Sequence, residues 1–171
     1  MPRAAGAPIA MRDVRVGLGV DLHPSTAERA LFLGGVRFDD ESGLAGHSDG
    51  DVVCHALADA LLGAAQLGDL GEHFPDTDPA FEGIAGLDLL ARVAALLLER
   101  GLAPVQCDLT LIAERPRIAG RREEIRRNLG SALGLSLAKV SVKATKPEGL
   151  GLTGDGAGCL AVAMVESISP R

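Results

Sequence analysis

Apolar and polar residues alternate along the chain with two different periods, which predict five strands and three helices. β-Branched residues and glycines without helical spacing predict strands, whereas apolar residues three or four positions apart predict helices. The predicted strands cover residues 14–23, 29–38, 105–113, 139–145 and 158–168, with the loop PSTAE between the first two, and the predicted helices cover 48–67, 86–101 and 120–134. This order predicts an α/β fold of the α+β type, with a mixed sheet and helices layered on one face.

The helix predicted at residues 48–67 is apolar on nearly all sides, which indicates that it is buried on most sides or faces a partner subunit. Ser48 and Asp51 precede its apolar run, and this Ser-x-x-Asp spacing predicts that the Ser48 hydroxyl caps the helix start. The same helix start presents free amides and the positive end of the helix dipole, which favour an anion such as phosphate. Capping does not explain why His55 lies inside the helix.

Composition and charge narrow the class of protein. The length of 171 residues predicts one domain, at residues 12–171, with the first eleven residues as a flexible tail. A net charge of −6, with four Phe and no Trp or Tyr, predicts that no nucleic acid is bound. Three cysteines far apart in apolar surroundings predict reduced, buried thiols.

The chain offers no candidate for membrane insertion or export. Its longest apolar run, at residues 159–165, is far shorter than the roughly 20 residues that a membrane helix needs. The first eleven residues lack the apolar segment of a secretory signal. We therefore expect a cytoplasmic protein without a membrane partner.

A possible metal site begins at the end of the first predicted strand. Asp21 and His23 are two positions apart, so the pleat of a strand puts both side chains on one face, roughly 6 to 7 Å apart at Cα. Imidazole and carboxylate are common zinc ligands. An Asp-x-His pair is a weak signal, and taken alone it favours an exposed strand end before Pro24. A third ligand would come from His47, His55 or His73, and spacing does not choose among them.

Two loops carry further polar residues whose simplest explanation is structural. Asp69, Asp76 and Asp78 follow the first helix in segments rich in Gly and Pro, which are typical of turns. Lys146 and Glu148 precede a glycine-rich stretch with no helix after it, so a phosphate-binding loop is not predicted. Glu148 could be a metal ligand or a solvated surface acid, and the sequence alone favours the surface acid.

Taken together and in order, four segments resemble the 2-C-methyl-D-erythritol 2,4-cyclodiphosphate synthase family of the non-mevalonate isoprenoid pathway. The segments are GVDLH, GLAGHSDGDVVCHALADALLGAAQLGDLGEHFPDTDPAF, LTLIAERPRI and VKAT, followed by the loop at residues 148–158. The resemblance covers about residues 13–168, and the long second segment is its most specific part. It implies a homotrimer with active sites between neighbouring subunits.

The resemblance also implies a role for individual residues. One zinc ion per subunit would be held by Asp21, His23 and His55, and a magnesium or manganese ion by Glu148. His47 would stabilise the transition state, with Lys146 at a second such position. The implied substrate-binding residues are Ser48, Asp69, Leu70, Gly71, Phe74, Pro75, Asp76, Thr77 and Asp78. Those implied to surround the cytidine diphosphate are Ala113, Pro116, Arg117, Ile118, Ala119, Ala144, Thr145 and Lys146.

The implied reaction is a metal-dependent cyclisation, in which the enzyme acts as a phosphorus–oxygen lyase. The 2-phosphate of 4-diphosphocytidyl-2-C-methyl-D-erythritol 2-phosphate attacks the β-phosphorus, which releases CMP and forms the 2,4-cyclodiphosphate. Two alternatives from other classes are a metal-dependent phosphohydrolase and a non-catalytic trimeric metal-binding protein. The complete set of metal ligands argues against the last of these.

The sequence departs from the family pattern in two places. Lys146 replaces a family threonine, and we expect its ammonium to take over a phosphate contact. Leu152, Asp155 and Ala157 replace Phe, Arg and Glu, which in relatives face a cavity on the threefold axis where the Arg binds an isoprenoid diphosphate. Because three Asp155 carboxylates would repel such an anion, we expect this binding to be lost.

Overall fold

A computed structural model describes residues 13–151 and 153–168, so the predicted tail at residues 1–11 and the departure at Leu152 lie outside the described residues. The strands are β1 (Val14–His23), β2 (Ser25–Leu33), β3 (Val36–Leu44), β4 (Leu102–Ala113), β5 (Val140–Thr145) and β6 (Ala157–Ser167). The helices are α1 (Val52–Ala65), α2 (Leu70–His73), α3 (Gly86–Glu99) and α4 (Arg122–Leu133). Short 3-10 turns lie at Pro79–Phe81, Ile118–Gly120 and Leu137–Lys139.

Four strands form one sheet in the order β1-β6-β4-β5. β6 runs antiparallel to both β1 and β4, whereas β5 runs parallel to β4. The predicted mixed sheet in an α/β domain is thus confirmed. The strand predicted at residues 14–23 is found with the same bounds.

Helix α1 lies directly on β1, and two glycines make this close approach possible. A Cβ atom at Gly17 would lie 2.0 Å from the Ala60 carbonyl oxygen, and one at Gly19 would lie 2.0 Å from that of Ala56. All but two residues of α1 are buried. The predicted all-round burial of this helix is therefore achieved within one chain, between the sheet and its neighbouring helices.

The prediction of one strand at residues 29–38 is wrong, because the chain folds back in its middle. Gly34 and Gly35 have φ angles of 58° and 70°, and they form the tight turn of a separate hairpin made of β2 and β3. Glycine adopts these left-handed angles without the steric cost of a Cβ atom, and Gly-Gly is a favoured two-residue hairpin turn. The predicted loop PSTAE is also mostly strand, since β2 begins at Ser25.

The face of the sheet opposite α1 is apolar and uncovered at β1 and β6. Val16 and Leu18 are 63% and 64% exposed. The other large exposed side chains on these two strands are Val14, Val20, Leu22, Leu160 and Val162. A contiguous apolar surface of this kind marks an interaction site more often than do scattered apolar residues.

Cys54, Cys107 and Cys159 are buried free thiols, as predicted. Burial raises the pKa of the Cys107 thiol to about 12, so it remains protonated at neutral pH. Within residues 13–151 and 153–168, no helix has both the length and the hydropathy needed to cross a membrane.

Candidate metal site and second pocket

The start of α1 is organised by Asp51, not by Ser48 as predicted. The Asp51 carboxylate accepts hydrogen bonds from the amides of Val53 at 3.1 Å and Cys54 at 3.2 Å, which makes it the N-cap residue. It also accepts from the hairpin amides of Gly34 at 2.8 Å and Gly35 at 2.7 Å. One buried carboxylate therefore joins the β2–β3 turn to the helix that carries His55.

Asp21, His23 and His55 meet where β1 ends and α1 begins. His23 Nε2 and His55 Nδ1 each lie 3.1 Å from Asp21 Oδ2. One nitrogen or oxygen atom from each side chain lies within 4.8 Å of those of the other two. His55 is only 5% exposed. The two strand residues share a face, as their spacing predicts, and α1 supplies the third side chain.

The charges in this cluster stabilise one another. Burial by itself raises the pKa of Asp21, but hydrogen bonds with His23 and His55 outweigh burial and hold that pKa well below its usual range. Burial likewise lowers the pKa of His55, but its hydrogen bond with Asp21 and the neighbouring carboxylates raise it by more. A cation is therefore favoured at this position.

Ser48 orients the buried imidazole. Its hydroxyl lies 2.9 Å from His55 Nε2, on the side of the ring opposite Asp21. When Nε2–H of the neutral imidazole donates this hydrogen bond to the hydroxyl oxygen, Nδ1 carries the lone pair, which points toward Asp21 and His23. Two imidazole nitrogens and a carboxylate oxygen in this arrangement fit a divalent ion such as zinc, with a fourth position open.

The remaining two candidates for a third ligand have other positions. His73 Nε2 donates a 2.7 Å hydrogen bond to the Leu67 carbonyl, and His73 is not part of the cluster. His47 is exposed and lines the same cavity as the cluster. The structure thus distinguishes among three histidines that the sequence spacing left equivalent.

A cavity of about 340 Å³ opens in front of the cluster, and we call it the metal pocket. Its lining includes the three clustered side chains together with His47, Ser48, Leu70, Phe74 and Asp76, which were predicted as site residues. The lining also includes Gly46, Phe81, Ile84 and Leu89, which were not predicted as site residues. Phe81 packs edge-to-face on Phe74 with ring centroids 5.2 Å apart, a contact that residue spacing does not reveal.

The remaining predicted substrate-binding residues surround this lining without being part of it. Asp69 caps α2 by accepting from the Glu72 amide at 3.0 Å, and Asp78 caps the next turn by accepting from the Ala80 amide at 2.9 Å. Gly71 and Thr77 are exposed and Pro75 is half-buried. The role in turns that the sequence predicts for these two aspartates therefore agrees with their hydrogen bonds.

A second cavity of about 220 Å³, which we call the second pocket, lies between the end of β4 and the end of β5. Its lining includes all eight residues predicted to surround the cytidine diphosphate: Ala113, Pro116, Arg117, Ile118, Ala119, Ala144, Thr145 and Lys146. Glu114 lines it as well, and it lies within the family segment LTLIAERPRI, inside the range 113–119 that the resemblance assigned to the cytidine diphosphate. Arg122 also lines it and was not predicted.

The charged residues of the second pocket are loosely held. Lys146 Nζ lies 3.8 Å from Glu114 Oε2, and these side chains are 46% and 53% exposed. Glu148 is exposed in the following turn, with φ of 50°, and does not belong to the Asp21 cluster. Exposed pairs at this distance contribute little to stability.

Both pockets open at the same end of the four-stranded sheet. Ala157 of β6 pairs with His23 on one side and with Ala113 on the other. Because neighbouring strands are about 4.8 Å apart, the backbones of His23 and Ala113 are separated by roughly 10 Å. A nucleoside diphosphate ester is longer than the distance between these two strand ends.

The chain matches the YgbB family over residues 14–167. It is 53% identical over 151 residues to the bifunctional enzyme IspD/IspF of Desulforudis audaxviator, which covers 88% of this chain and 38% of that protein. It is 50% identical over 152 residues to the 2-C-methyl-D-erythritol 2,4-cyclodiphosphate synthase of Symbiobacterium thermophilum, covering 88% and 97%. The chain thus spans about two fifths of the first relative and nearly all of the second.

A solved structure has the same fold. It is described as 2C-methyl-D-erythritol-2,4-cyclodiphosphate synthase in a bound form with CDP. The TM-score is 0.82 at 34% sequence identity, and the match covers 88% of this chain and 99% of that one.

Proposed function

Because the chain belongs to the YgbB family, which it matches over residues 14–167, we propose that it cyclises 4-diphosphocytidyl-2-C-methyl-D-erythritol 2-phosphate. The products are 2-C-methyl-D-erythritol 2,4-cyclodiphosphate and CMP. An oxygen of the 2-phosphate bonds to the β-phosphorus, and the bond from that phosphorus to the bridging oxygen breaks, so CMP leaves with the bridging oxygen. The single observation that carries this proposal is the Asp21, His23 and His55 cluster in a chain with a synthase relative at 50% identity. The family predicted from the sequence motifs is confirmed.

The metal pocket binds the methylerythritol and phosphate end of the substrate. Asp21, His23 and His55 would hold zinc, and Glu148, which lies outside the metal pocket, would hold magnesium or manganese. When bound, these cations would supply Lewis-acid charge stabilisation for the phosphate groups. His47 and Ser48 contact the phosphate, and Leu70, Phe74 and Asp76 bind the methylerythritol, with Asp69, Gly71, Pro75, Thr77 and Asp78 shaping their segment. This arrangement brings positive charge to two anions in a protein whose net charge is −6.

The second pocket binds the cytidine diphosphate. Its lining of alanine, proline and isoleucine suits a cytidine ring, and a CDP-bound structure of a similar synthase supports this class of ligand. Lys146 approaches the diphosphate in place of the family threonine. The chain supplies no nucleophile, because the attacking oxygen belongs to the substrate, and the residues contribute positioning and charge.

The active unit is a homotrimer with active sites between subunits. The uncovered apolar face of β1 and β6 supports this proposal, because a second copy of the chain would cover it. The mass of the particle in solution, measured by light scattering, should be three times that of the monomer. The substitution of Leu18 by Glu should reduce it, whereas an unchanged trimer would assign the apolar face another role.

The departure at Asp155 predicts a further property of the trimer. Asp155 is exposed, and its backbone carbonyl accepts a hydrogen bond from the Ser25 hydroxyl. We expect three such carboxylates around a threefold axis to exclude isoprenoid diphosphates. Native mass spectrometry with farnesyl diphosphate tests this, and a retained ligand would refute it.

The cytoplasmic location remains a prediction from sequence.

The decisive assay uses the cytidylylated substrate and phosphorus NMR, with and without a chelator. A cyclic diphosphate and CMP, formed only with metal present, are expected. An open-chain phosphate product would instead indicate the metal-dependent phosphohydrolase. No turnover at all would leave a metal-binding protein without this activity, and would overturn the proposal.

A further inference from the structure

Arg29 binds the loop that carries His47 and Ser48, although it lies outside both pockets. Its Nη1 donates to the Gly46 carbonyl, and its Nη2 donates to the Ser48 carbonyl. The two accepting residues stand on either side of His47 in the chain. Hydrogen bonds from a guanidinium are stronger than those between neutral groups, and its planar fork fixes the relative position of two acceptors.

The position of Arg29 in β2 explains how the side chain reaches this loop. The pairing of β2 with β3 is regular from Leu31 to the turn, but its register shifts on both sides of Ala30. Such irregularities redirect side chains away from the ladder. Gly43 makes room for the shifted backbone, because a Cβ atom there would lie 2.4 Å from the Arg29 carbonyl oxygen.

The loop that Arg29 binds contacts both histidines of the metal cluster. A Cβ atom at Gly46 would lie 3.1 Å from His23 Cε1, so the loop backbone lies close against that ring. The Ser48 hydroxyl lies 2.9 Å from His55 Nε2. The guanidinium therefore holds the backbone of two residues that lie against the two imidazole rings, one by close approach to His23 and one by a hydrogen bond to His55.

From these contacts we infer that Arg29 is a positioning residue for the metal site, acting through Gly46 on His23 and through Ser48 on His55. This inference rests on the proposed metal site. Groups that orient metal ligands from outside typically contribute 10- to 100-fold to metal affinity or activity. Loss of the fork should leave Asp21, His23 and His55 in place but let both rings rotate.

The test is zinc affinity of the full chain, measured by competition with a chromophoric chelator. Arg29→Met keeps the apolar stem and removes every donor, so we expect zinc affinity to fall about tenfold or more. Arg29→Lys keeps the charge but cannot donate to both carbonyls as a planar fork, so an intermediate loss is expected. Arg37→Met, on the same hairpin, removes an arginine that is 62% exposed and pairs with Asp39, and it should bind zinc as the wild type does.

The substitutions separate orientation from general stability. Zinc affinity measured well below the unfolding temperature of each variant does not depend on a uniform loss of stability. If Arg29→Met is folded and binds zinc like the wild type, the inference is wrong. If Arg29→Met does not fold, unchanged zinc affinity in Arg29→Lys overturns it. A wild type that binds no zinc overturns the metal site itself, and the role of Arg29 with it.

Discussion

The metal pocket and the second pocket lie at one end of the same sheet, yet they hold their polar groups in opposite ways. Asp21, His55 and Asp51 are buried or half-buried, and each has at least two hydrogen-bond partners. Glu114 and Lys146 are exposed and 3.8 Å apart. The metal pocket is thus fixed before any ligand arrives, whereas the second pocket keeps side chains that are free to adjust.

This difference matches what the two proposed ligands require. A metal ion needs its ligand atoms at fixed distances, and small displacements cost affinity. A nucleoside diphosphate is large, and several separate contacts share its binding energy. We therefore expect steep losses from single substitutions around the metal pocket and shallow losses around the second pocket.

The largest effect is expected from Asp21→Asn. Asparagine keeps the volume but removes the charge that both imidazoles face, and metal stabilisation of a phosphoryl transition state is worth several kcal/mol. We expect turnover to fall on the order of a thousandfold, with zinc affinity falling in parallel. The measurements are CMP release and chelator competition.

A suitable control is Asp88→Asn, which changes an exposed aspartate in the first turn of α3. It should leave both measurements unchanged. If Asp21→Asn retained full turnover, the metal pocket would not take part in the reaction. The expected difference in sensitivity to substitution between the two pockets would then be wrong.

Next in size is the effect of Asp51→Ala on stability. This substitution leaves four amides from the β2–β3 turn and the α1 start without their acceptor. Loss of the cap and of acceptors for buried donors should lower the free energy of unfolding by about 3 kcal/mol. Urea denaturation with the apoprotein measures it.

Glu114→Ala provides the matched change in the second pocket. Because its contact with Lys146 is long and exposed, we expect a loss below about 0.5 kcal/mol. Equal losses for the two variants would contradict the view that only the metal pocket is rigidly held.

The sequence was informative where local chemistry decides structure, and less so where distant segments meet. The β-branched residues and glycines at residues 14–23 predicted β1, and the spacing of Asp21 and His23 put both on one face. The Gly34-Gly35 pair between apolar residues is also a local signal for the β2–β3 turn, although one strand was predicted there. Local sequence pattern therefore accounts for this turn as well as for β1.

Other features depend on contacts across the chain. The helix cap belongs to Asp51 rather than Ser48 because hairpin amides from residues 34 and 35 also bind that carboxylate. His55 could be separated from His47 and His73 only through the family resemblance or through the packing of α1 on β1. Arg29 carries no motif, because its function depends on a register shift in β2 and on carbonyls 17 and 19 residues away.

Zinc affinity at the metal pocket should depend on pH, because His55 carries a proton at low pH that competes with the metal ion. The pKa of His55 lies above its ordinary value because Asp21 favours the protonated ring more than burial disfavours it. Zinc must displace that proton. Affinity should therefore be constant above the pKa of His55 and fall by about tenfold for each pH unit below it. The Asp21 carboxylate stays ionised over this range, since its pKa is lowered.

Zinc titrations between pH 8 and pH 5.5, under conditions where circular dichroism shows the protein folded, provide the measurement. A flat profile would mean that no proton is released from the cluster, and that His55 does not bind the ion.

The smallest effect is expected from Lys146→Ala, in the loosely held second pocket. If the ammonium contacts a substrate phosphate, its loss should remove one charge-assisted hydrogen bond. Because the side chain is 46% exposed, we expect turnover to fall only about tenfold, near the lower limit for such bonds. Zinc affinity should not change, since Lys146 is not part of the metal pocket.

Two further variants distinguish the phosphate contact from a general effect of charge. Lys146→Thr restores the family residue, whose hydroxyl can donate to the same phosphate, and it should retain most of the turnover. Lys143→Ala removes a nearby exposed lysine that pairs with Asp108 and does not line the second pocket, so it should leave turnover unchanged. Unchanged turnover in Lys146→Ala would show that the lysine has not replaced the threonine. Reduced zinc affinity in that variant would instead show that the two pockets are coupled, because one substitution would then affect both ends of the site.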